Sequence, residues 1–558
     1  MSPKNRHRGG SGGGAPGRAR AGRAAGGGSR GAAGTGAGGP AGATGPSRPV
    51  DPRLQELMSR GFAAYDRSML EQAEQCFATA LTIDANHAEA NRMLGVTVLR
   101  RNTNRPMAVA HLRKACAANP GQPHWEQDLA SALSAVGRTA EAMGVLGRVV
   151  RKLPGDPVPL TMLAKCHTEM RHFQKAREFA ERALGLATDH PSSLDVAAEA
   201  SLRTGDLEAA ESYGRRLGEL GSAPADLRAG GWRTVGRVME KRGDHAGSWS
   251  AHARAAELLL KTPAASAGLK TWALETSELF VGRGELLERW ASEPTPDELP
   301  DPVVLTGFPR TGTTLAENVL AAHDGVWTSD EYPVMNVIST GLAADASLSR
   351  LPLPEKLDAL SPEKLRSLRA AYWRELRSTM PGEAAGRLVV DKDPLRTSSL
   401  PVMNRLFPRG RIIFMIRDPR DVLVSCFTQR FAMGWFGARC LRVDLFAEMY
   451  TAVHRFWMRF REMTTMPVME IRYEEMVTEF EGHARRMIEF IGVEWRDEIL
   501  LFHEKAAKRA VRTPSADAVA KPVNTSAVAR WRRYEDQIGR EGLELLAPIV
   551  EELGYEPS

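Results

Sequence analysis

The sequence predicts an all-α helical-repeat solenoid followed by an α/β domain built on a parallel sheet, with a tail lacking fixed structure in front. Three observations carry this reading. From about residue 52 to 262 the pattern is helical and is broken by turn clusters about 34 residues apart. Beyond a proline-rich stretch, short apolar runs alternate with helical patterns. The first of those runs enters a loop bounded by two glycines, Gly307 and Gly312. At 558 residues the chain is too long for one ordinary core, so several domains are expected: 1–51, 52–295 and 296–558.

Residues 1–50 consist almost entirely of Gly, Ala, Arg, Ser and Pro, with eight Lys or Arg and no acid. They cannot bury enough apolar surface to offset the entropy of ordering, which predicts a disordered extension. The chain's net charge of +6 therefore resides in this tail, and the remainder is slightly acidic. A solvated low-complexity extension is the reading adopted, with no specific nucleic-acid partner. An apolar core of the kind found in secretory signals is missing, and no apolar run reaches the roughly 18–20 residues that span a bilayer. Cys76, Cys116, Cys166, Cys426 and Cys440 show no paired spacing, so they read as thiols of a reducing, cytoplasmic compartment and not as disulfides or metal ligands.

In the helical region, Ala88, Pro123, Pro157 and Pro191 mark equivalent turns, 35, 34 and 34 residues apart. Small residues recur where paired helices must approach: Gly61, Ala73 and Ala80, then Ala130, Gly137 and Ala142. About four clear units are followed by looser pairs that turn at Gly205-Asp206 and Gly243-Asp244. This resembles tetratricopeptide repeats, whose helical hairpins stack because none can bury its apolar face alone. The resemblance implies a groove for a protein or peptide partner.

Glu293–Pro302 is rich in proline and changes the texture of the chain. After it come apolar strands at Val303–Thr306, Leu388–Asp391, Arg411–Ile416 and Val468–Arg472, separated by helical sequence. Such alternation predicts a parallel sheet, whose ligands sit at the carboxyl ends of the strands.

The loop Gly307-Phe308-Pro309-Arg310-Thr311-Gly312-Thr313-Thr314 leads from strand to helix. Loop amides and a helix N-terminus suit an anion, which makes the domain P-loop-like. However, Thr313 stands where a Walker loop places the lysine that grips β- and γ-phosphates. That argues against a nucleotide kinase and against ATP or GTP hydrolysis. About 105 residues further, the strand Arg411–Ile416 ends at Arg417-Asp418-Pro419-Arg420-Asp421, with Ser425 eight residues after Arg417.

Together the two segments resemble the paired signatures of sulfotransferases that use 3′-phosphoadenosine-5′-phosphosulfate (PAPS), in particular the tyrosylprotein sulfotransferases. The resemblance spans about residues 300–540. It implies that Arg310, Thr311, Gly312, Thr313 and Thr314 hold the 5′-phosphosulfate and that Arg417 and Ser425 hold the 3′-phosphate. Glu331 takes the position of the general base, with Asp330 as the fallback. Lys392, in Asp391-Lys392-Asp393-Pro394, would contact the leaving oxygen, and Arg310 would help hold the sulfuryl oxygens. Tyr473 would lie near the adenine. Ser515 and Lys521, in the C-terminal loop that precedes Arg530-Trp531, would reach the phosphates. No metal is implied.

Two departures bear on the acceptor. Tyr332-Pro333-Val334-Met335-Asn336 lacks the basic side chains that grip acidic peptides in the tyrosylprotein enzymes. Gln429 replaces a downstream arginine, although Arg430 is adjacent. Both argue against peptidyl-tyrosine and leave a hydroxyl on a protein, glycan or small molecule. The competing reading is a repeat-based scaffold with a catalytically inactive nucleotide-binding domain. The intact set Arg310, Glu331, Lys392, Arg417 and Ser425 weighs against it.

Overall fold

The computed structural model describes residues 51–557 apart from 102–103, 272–273, 275–276, 295 and 508–518. Residues 1–50 of the predicted tail and Ser515 lie outside the described residues, whereas Asp51 caps the first helix.

Six antiparallel helix pairs open the fold: α1 (Pro52–Asp66) with α2 (Leu70–Ile83), α3 (Ala88–Arg101) with α4 (Arg105–Ala118), α5 (Pro123–Ala135) with α6 (Thr139–Lys152), α7 (Pro157–Glu169) with α8 (Phe173–Leu186), α9 (Pro191–Thr204) with α10 (Leu207–Glu219), and α11 (Ala225–Lys241) with α12 (His245–Leu260). The repeating residues have a local cause. Ala88, Pro123, Pro157 and Pro191 are the first residues of α3, α5, α7 and α9, and proline fits there because a first-turn amide has no helical acceptor. Asp206 and Asp244 cap α10 and α12 by accepting the amides of Ala209 and Gly247.

Close approach explains the small residues. A Cβ on Gly61 would lie 2.5 Å from the Phe77 ring, and Ala73, Ala80, Ala130 and Ala142 are fully buried. Gly137 differs: it forms the turn between α5 and α6, where its role is backbone conformation. Each pair packs on the next, so one apolar cluster runs from Leu54 to Cys166. This is the tetratricopeptide-repeat architecture.

The second half is a five-stranded, wholly parallel sheet: β1 (Val303–Gly307), β2 (Val326–Thr328), β3 (Leu388–Lys392), β4 (Arg411–Ile416) and β5 (Val468–Arg472), in the order β2-β3-β1-β4-β5. Leu305 pairs with Lys392, and Gly307 with Met415. The central β1 and most of β4 are buried, which is why they read as unbroken apolar runs. The helices that matter for the site are α15 (Thr313–Leu320), which follows β1, and α20 (Pro419–Phe427), which follows β4. The short β2, at the sheet edge, was not anticipated.

Packing crosses the proline-rich stretch. Short α13 (Pro263–Leu269) and α14 (Gly284–Ser292) precede it, yet Leu287 and Trp290 of α14 belong to the same core as Val304, Phe407 and Phe414. Likewise Ala229, Trp232 and Val235 of α11 share a cluster with Phe427 and Leu441. Among the described residues no helix is long and apolar enough to cross a membrane.

Candidate active site

All five strands end at one face, and each delivers a residue that the sequence singled out: β1 the loop Arg310–Thr314, β2 Glu331, β3 Lys392, β4 Arg417 and β5 Tyr473. Parallel strands in register make this convergence unavoidable.

The loop after β1 is held by its own groups. Thr311 is fully buried, and its hydroxyl donates to the Phe308 carbonyl at 2.7 Å. Its amide donates to the same carbonyl at 3.1 Å, so both donors of Thr311 shape the loop. Gly312 is the N-cap of α15 with φ +101°, and a Cβ there would stand 2.7 Å from Tyr473 Cδ2. Only glycine meets both constraints. Thr313 and Thr314 supply first-turn amides that have no helical acceptor, together with hydroxyls on the same turn.

Lys392 is fully buried at the end of β3. Its ammonium pairs with Glu331, lies 3.4 Å from Glu317 Oε2 and is 3.5 Å from Thr314 Oγ1. Burial works against its charge, but the Glu317 and Glu331 carboxylates outweigh it and raise its pKa. Glu317, on α15, is 3% exposed, and burial pushes its carboxyl upward against the pull of Lys392. Glu331 reaches its place through two successive left-handed residues, Asp330 at φ +51° and Glu331 at φ +61°. The turn is held because the Glu331 amide donates to the Lys392 carbonyl at 3.0 Å and the Lys392 amide donates to Ser329 Oγ at 2.9 Å. The Glu331 side chain remains 41% exposed, on the open side of the buried lysine.

Opposite this pair is the β4 end. Arg417 stacks over Tyr473 at 4.4 Å and donates to the Arg310 carbonyl at 3.0 Å, while Arg310 Nε donates to Ser425 Oγ at 2.9 Å. Burial, together with the nearby Arg417 and Arg530 guanidiniums, draws the Arg310 pKa down to about 10. The Nε of Arg417 is buried without a hydrogen-bond partner among the described residues. A crowded, desolvated set of cations beside loop amides is an anion site, and a phosphate fits it. Among the described residues of the second half, Arg310, Asp330, Glu331 and Ala529 are the non-glycine residues at positive φ, and the first three lie here; such strain persists where the surroundings enforce it.

Lys521 is exposed. Arg430 does not stand in for the arginine replaced by Gln429, because it turns to Asp195 of α9 at 3.2 Å. Sequence reasoning missed Glu317, whose spacing of three from Thr314 on the loop-facing helix was the available signal. Asp421 and Arg530 stand in segments the sequence singled out, but their contacts, more than 100 residues apart, were not legible there. Among the described residues no group of His, Cys, Asp and Glu is arranged to hold a metal ion.

Residues 302–497 match the sequence profile described as "Sulfotransferase family". Chicken protein-tyrosine sulfotransferase 2 (Gallus gallus) is 26% identical over 260 residues, covering 46% of this chain and 69% of that protein. Zebrafish protein-tyrosine sulfotransferase 1 (Danio rerio) is 28% identical over 264 residues, covering 46% and 72%. An uncharacterized protein of Aquifex aeolicus is 25% identical over 425 residues, which is 74% of this chain but only 52% of the relative's length. Among solved structures, the pilus biogenesis factor PilW aligns with 38% of this chain and 97% of its own at 14% identity and a TM-score of 0.34. Residues 302–497 are thus similar to the sulfotransferase family, and they follow a tetratricopeptide-repeat solenoid.

Proposed function

We propose that this protein transfers a sulfuryl group from PAPS to a hydroxyl of an acceptor, with Glu331 as general base. The observation that carries the reading is the opposition of two charged groups across the strand ends. Glu331 and Lys392 stand against the first turn of α15 on one side, and Arg310, Arg417 and Ser425 stand together on the other. A threonine at position 313 in place of the Walker lysine suits this donor better than a triphosphate.

The residues fit the donor. Arg417 has a buried donor to spare, Gly312 lets Tyr473 close on the loop, and Thr313 and Thr314 open α15 with amides that have no helical acceptor. PAPS supplies an activated sulfur whose bond to the 5′-phosphate oxygen breaks, with its electron pair, as the acceptor oxygen bonds to sulfur. Glu331 takes the acceptor's proton, for which its exposed side of the pair leaves room. The Lys392 ammonium stabilises the charge that develops on the leaving oxygen, and Arg310 the sulfuryl oxygens. Glu317 gives Lys392 a second carboxylate, so the lysine stays charged and fixed when Glu331 becomes protonated. Arg417 and Ser425 hold the 3′-phosphate, with Ser515 and Lys521 completing the phosphate contacts from the C-terminal loop. The compartment is cytoplasmic in this proposal, consistent with buried thiols such as Cys166, whose pKa burial raises to about 12.

Titration calorimetry with 3′-phosphoadenosine-5′-phosphate and with ATP tests the donor site. The former should bind tightly and ATP poorly, and Arg417→Ala should weaken the former by roughly 2–4 kcal/mol. Equal binding of ATP, or no effect of Arg417→Ala, overturns the reading. Incubation with radiosulfur-labelled PAPS and a cell extract then identifies the acceptor.

A further inference from the structure

The segment Ala527–Tyr534 lies between the catalytic helix α20 and the last repeat pair, and is pinned from both sides. On the catalytic side, Arg417 Nη2 donates to the Ala527 carbonyl at 2.5 Å, and the Trp531 amide donates to Asp421 Oδ1 at 2.8 Å. Arg420 also stacks over the Trp531 ring at 4.1 Å. On the repeat side, Arg530 forks onto Glu240 of α11: Nε donates to Oε1 at 2.8 Å and Nη2 to Oε2 at 2.9 Å. Tyr534 Oη lies 3.3 Å from Ser248 Oγ of α12, and Trp249 stacks on Phe427, two residues beyond Ser425.

We infer that Glu240, a residue of the repeat domain, is a positioning residue for the nucleotide end of the catalytic site. The inference rests on the proposed donor-site reading. The connection is short. Glu240 fixes Arg530; its neighbour Ala529 is held at φ +53°, and the Ala527 carbonyl two residues earlier sets one arm of Arg417. An alanine in that conformation is strained and stays there only while both flanks are anchored. Glu240 and Arg530 are only partly exposed, at 25% and 18% of their side chains, so the two-pronged pair is shielded from full solvent screening. Without the fork the segment loses its outer anchor, and Arg417 loses the carbonyl that orients it. The last repeat pair is therefore a working part of the nucleotide site, and its removal costs affinity although it supplies no phosphate ligand.

The test is calorimetric titration of the full chain with 3′-phosphoadenosine-5′-phosphate. Glu240→Gln keeps the shape but breaks the charged fork, and should weaken binding by roughly 3- to 20-fold. Arg530→Glu should do the same. The combination Glu240→Arg with Arg530→Glu restores the pair with reversed charge and should return affinity to within about twofold of the parent. Glu199→Gln is the control. It breaks the ion pair with Arg237 and Arg203 within the same repeats but does not touch the segment, so its affinity should match the parent's. The inference is overturned if Glu240→Gln binds like the parent, if the double variant is not rescued, or if Glu199→Gln is equally impaired. A parent protein that does not bind the nucleotide overturns the donor-site reading itself, and this inference with it.

Discussion

Asp421→Asn should stabilise the protein, and by more at pH 7.5 than at pH 5. Asp421 is 1% exposed on α20. One of its oxygens accepts the Trp531 amide; the other has no hydrogen-bond partner among the described residues and lies 3.7 Å from Arg417 Nη2. Burial raises its pKa from 3.8 to about 6, against the pull of Arg417. The folded state therefore holds the proton more tightly than the unfolded chain does. Its destabilising effect is absent below pH 3.8 and complete once the pH has risen through 6. The whole span is worth about 3 kcal/mol, of which about 1.4 kcal/mol develops between pH 5 and 7.5. Asparagine keeps the acceptor for Trp531 and does not titrate, so the constant part of the substitution cancels in a pH series. Thermal unfolding followed by tryptophan fluorescence should show the variant's advantage in Tm widening by roughly 1–3 °C over that range. The same change removes the acid beside Arg417, so 3′-phosphoadenosine-5′-phosphate should bind roughly two- to tenfold more tightly. A Tm difference that does not vary with pH would refute the argument that a buried carboxylate is ionised there at neutral pH.

Glu331→Gln should leave nucleotide affinity nearly unchanged and cut turnover by about 10²–10⁴-fold, because the amide cannot take a proton. Turnover at the parent rate, with Asp330→Asn impaired instead, would move the base one residue earlier. Gly312→Ala should abolish measurable nucleotide binding while the repeats stay folded, since the new methyl group meets both a left-handed backbone and the Tyr473 ring; calorimetry alongside far-ultraviolet circular dichroism checks both parts.

The residues that could be read from the sequence were those whose role is set nearby. Pro123, Pro157 and Pro191 announce helix starts because a first turn tolerates proline whatever surrounds it. Buried parallel strands such as Ile412–Ile416 read as apolar runs, and the segments Gly307–Thr314 and Arg417–Ser425 are each contiguous. What escaped is fixed at long range. Val326–Thr328 is a strand only because β3 lies beside it, and three residues leave too little pattern. Glu317 looks like a surface acid in a helix until Lys392 is folded over it. Glu240 and Arg530 are 290 residues apart, and neither carries a local sign of the other. At the proline-rich stretch, local pattern and long-range packing differ. Local texture changes there, but Trp290 on one side and Val304 on the other are parts of one core.

That shared packing bears on how an acceptor would be selected. Where a recognition module hangs on a flexible linker, it raises the local concentration of whatever it holds, and many spacings between the held part and the reacting part are served. Here Trp232 and Val235 of the final hairpin are packed with Phe427 and Leu441, and Gly268 of α13 lies against the Gly434 backbone. Anything bound to the last hairpin is therefore held at a fixed offset from Glu331. Under the proposed function, an acceptor docked on that hairpin would be measured as by a ruler: acceptors whose hydroxyl lies at one distance from the held feature would be favoured, and lengthening that distance should lower turnover even where binding to the repeats is undiminished.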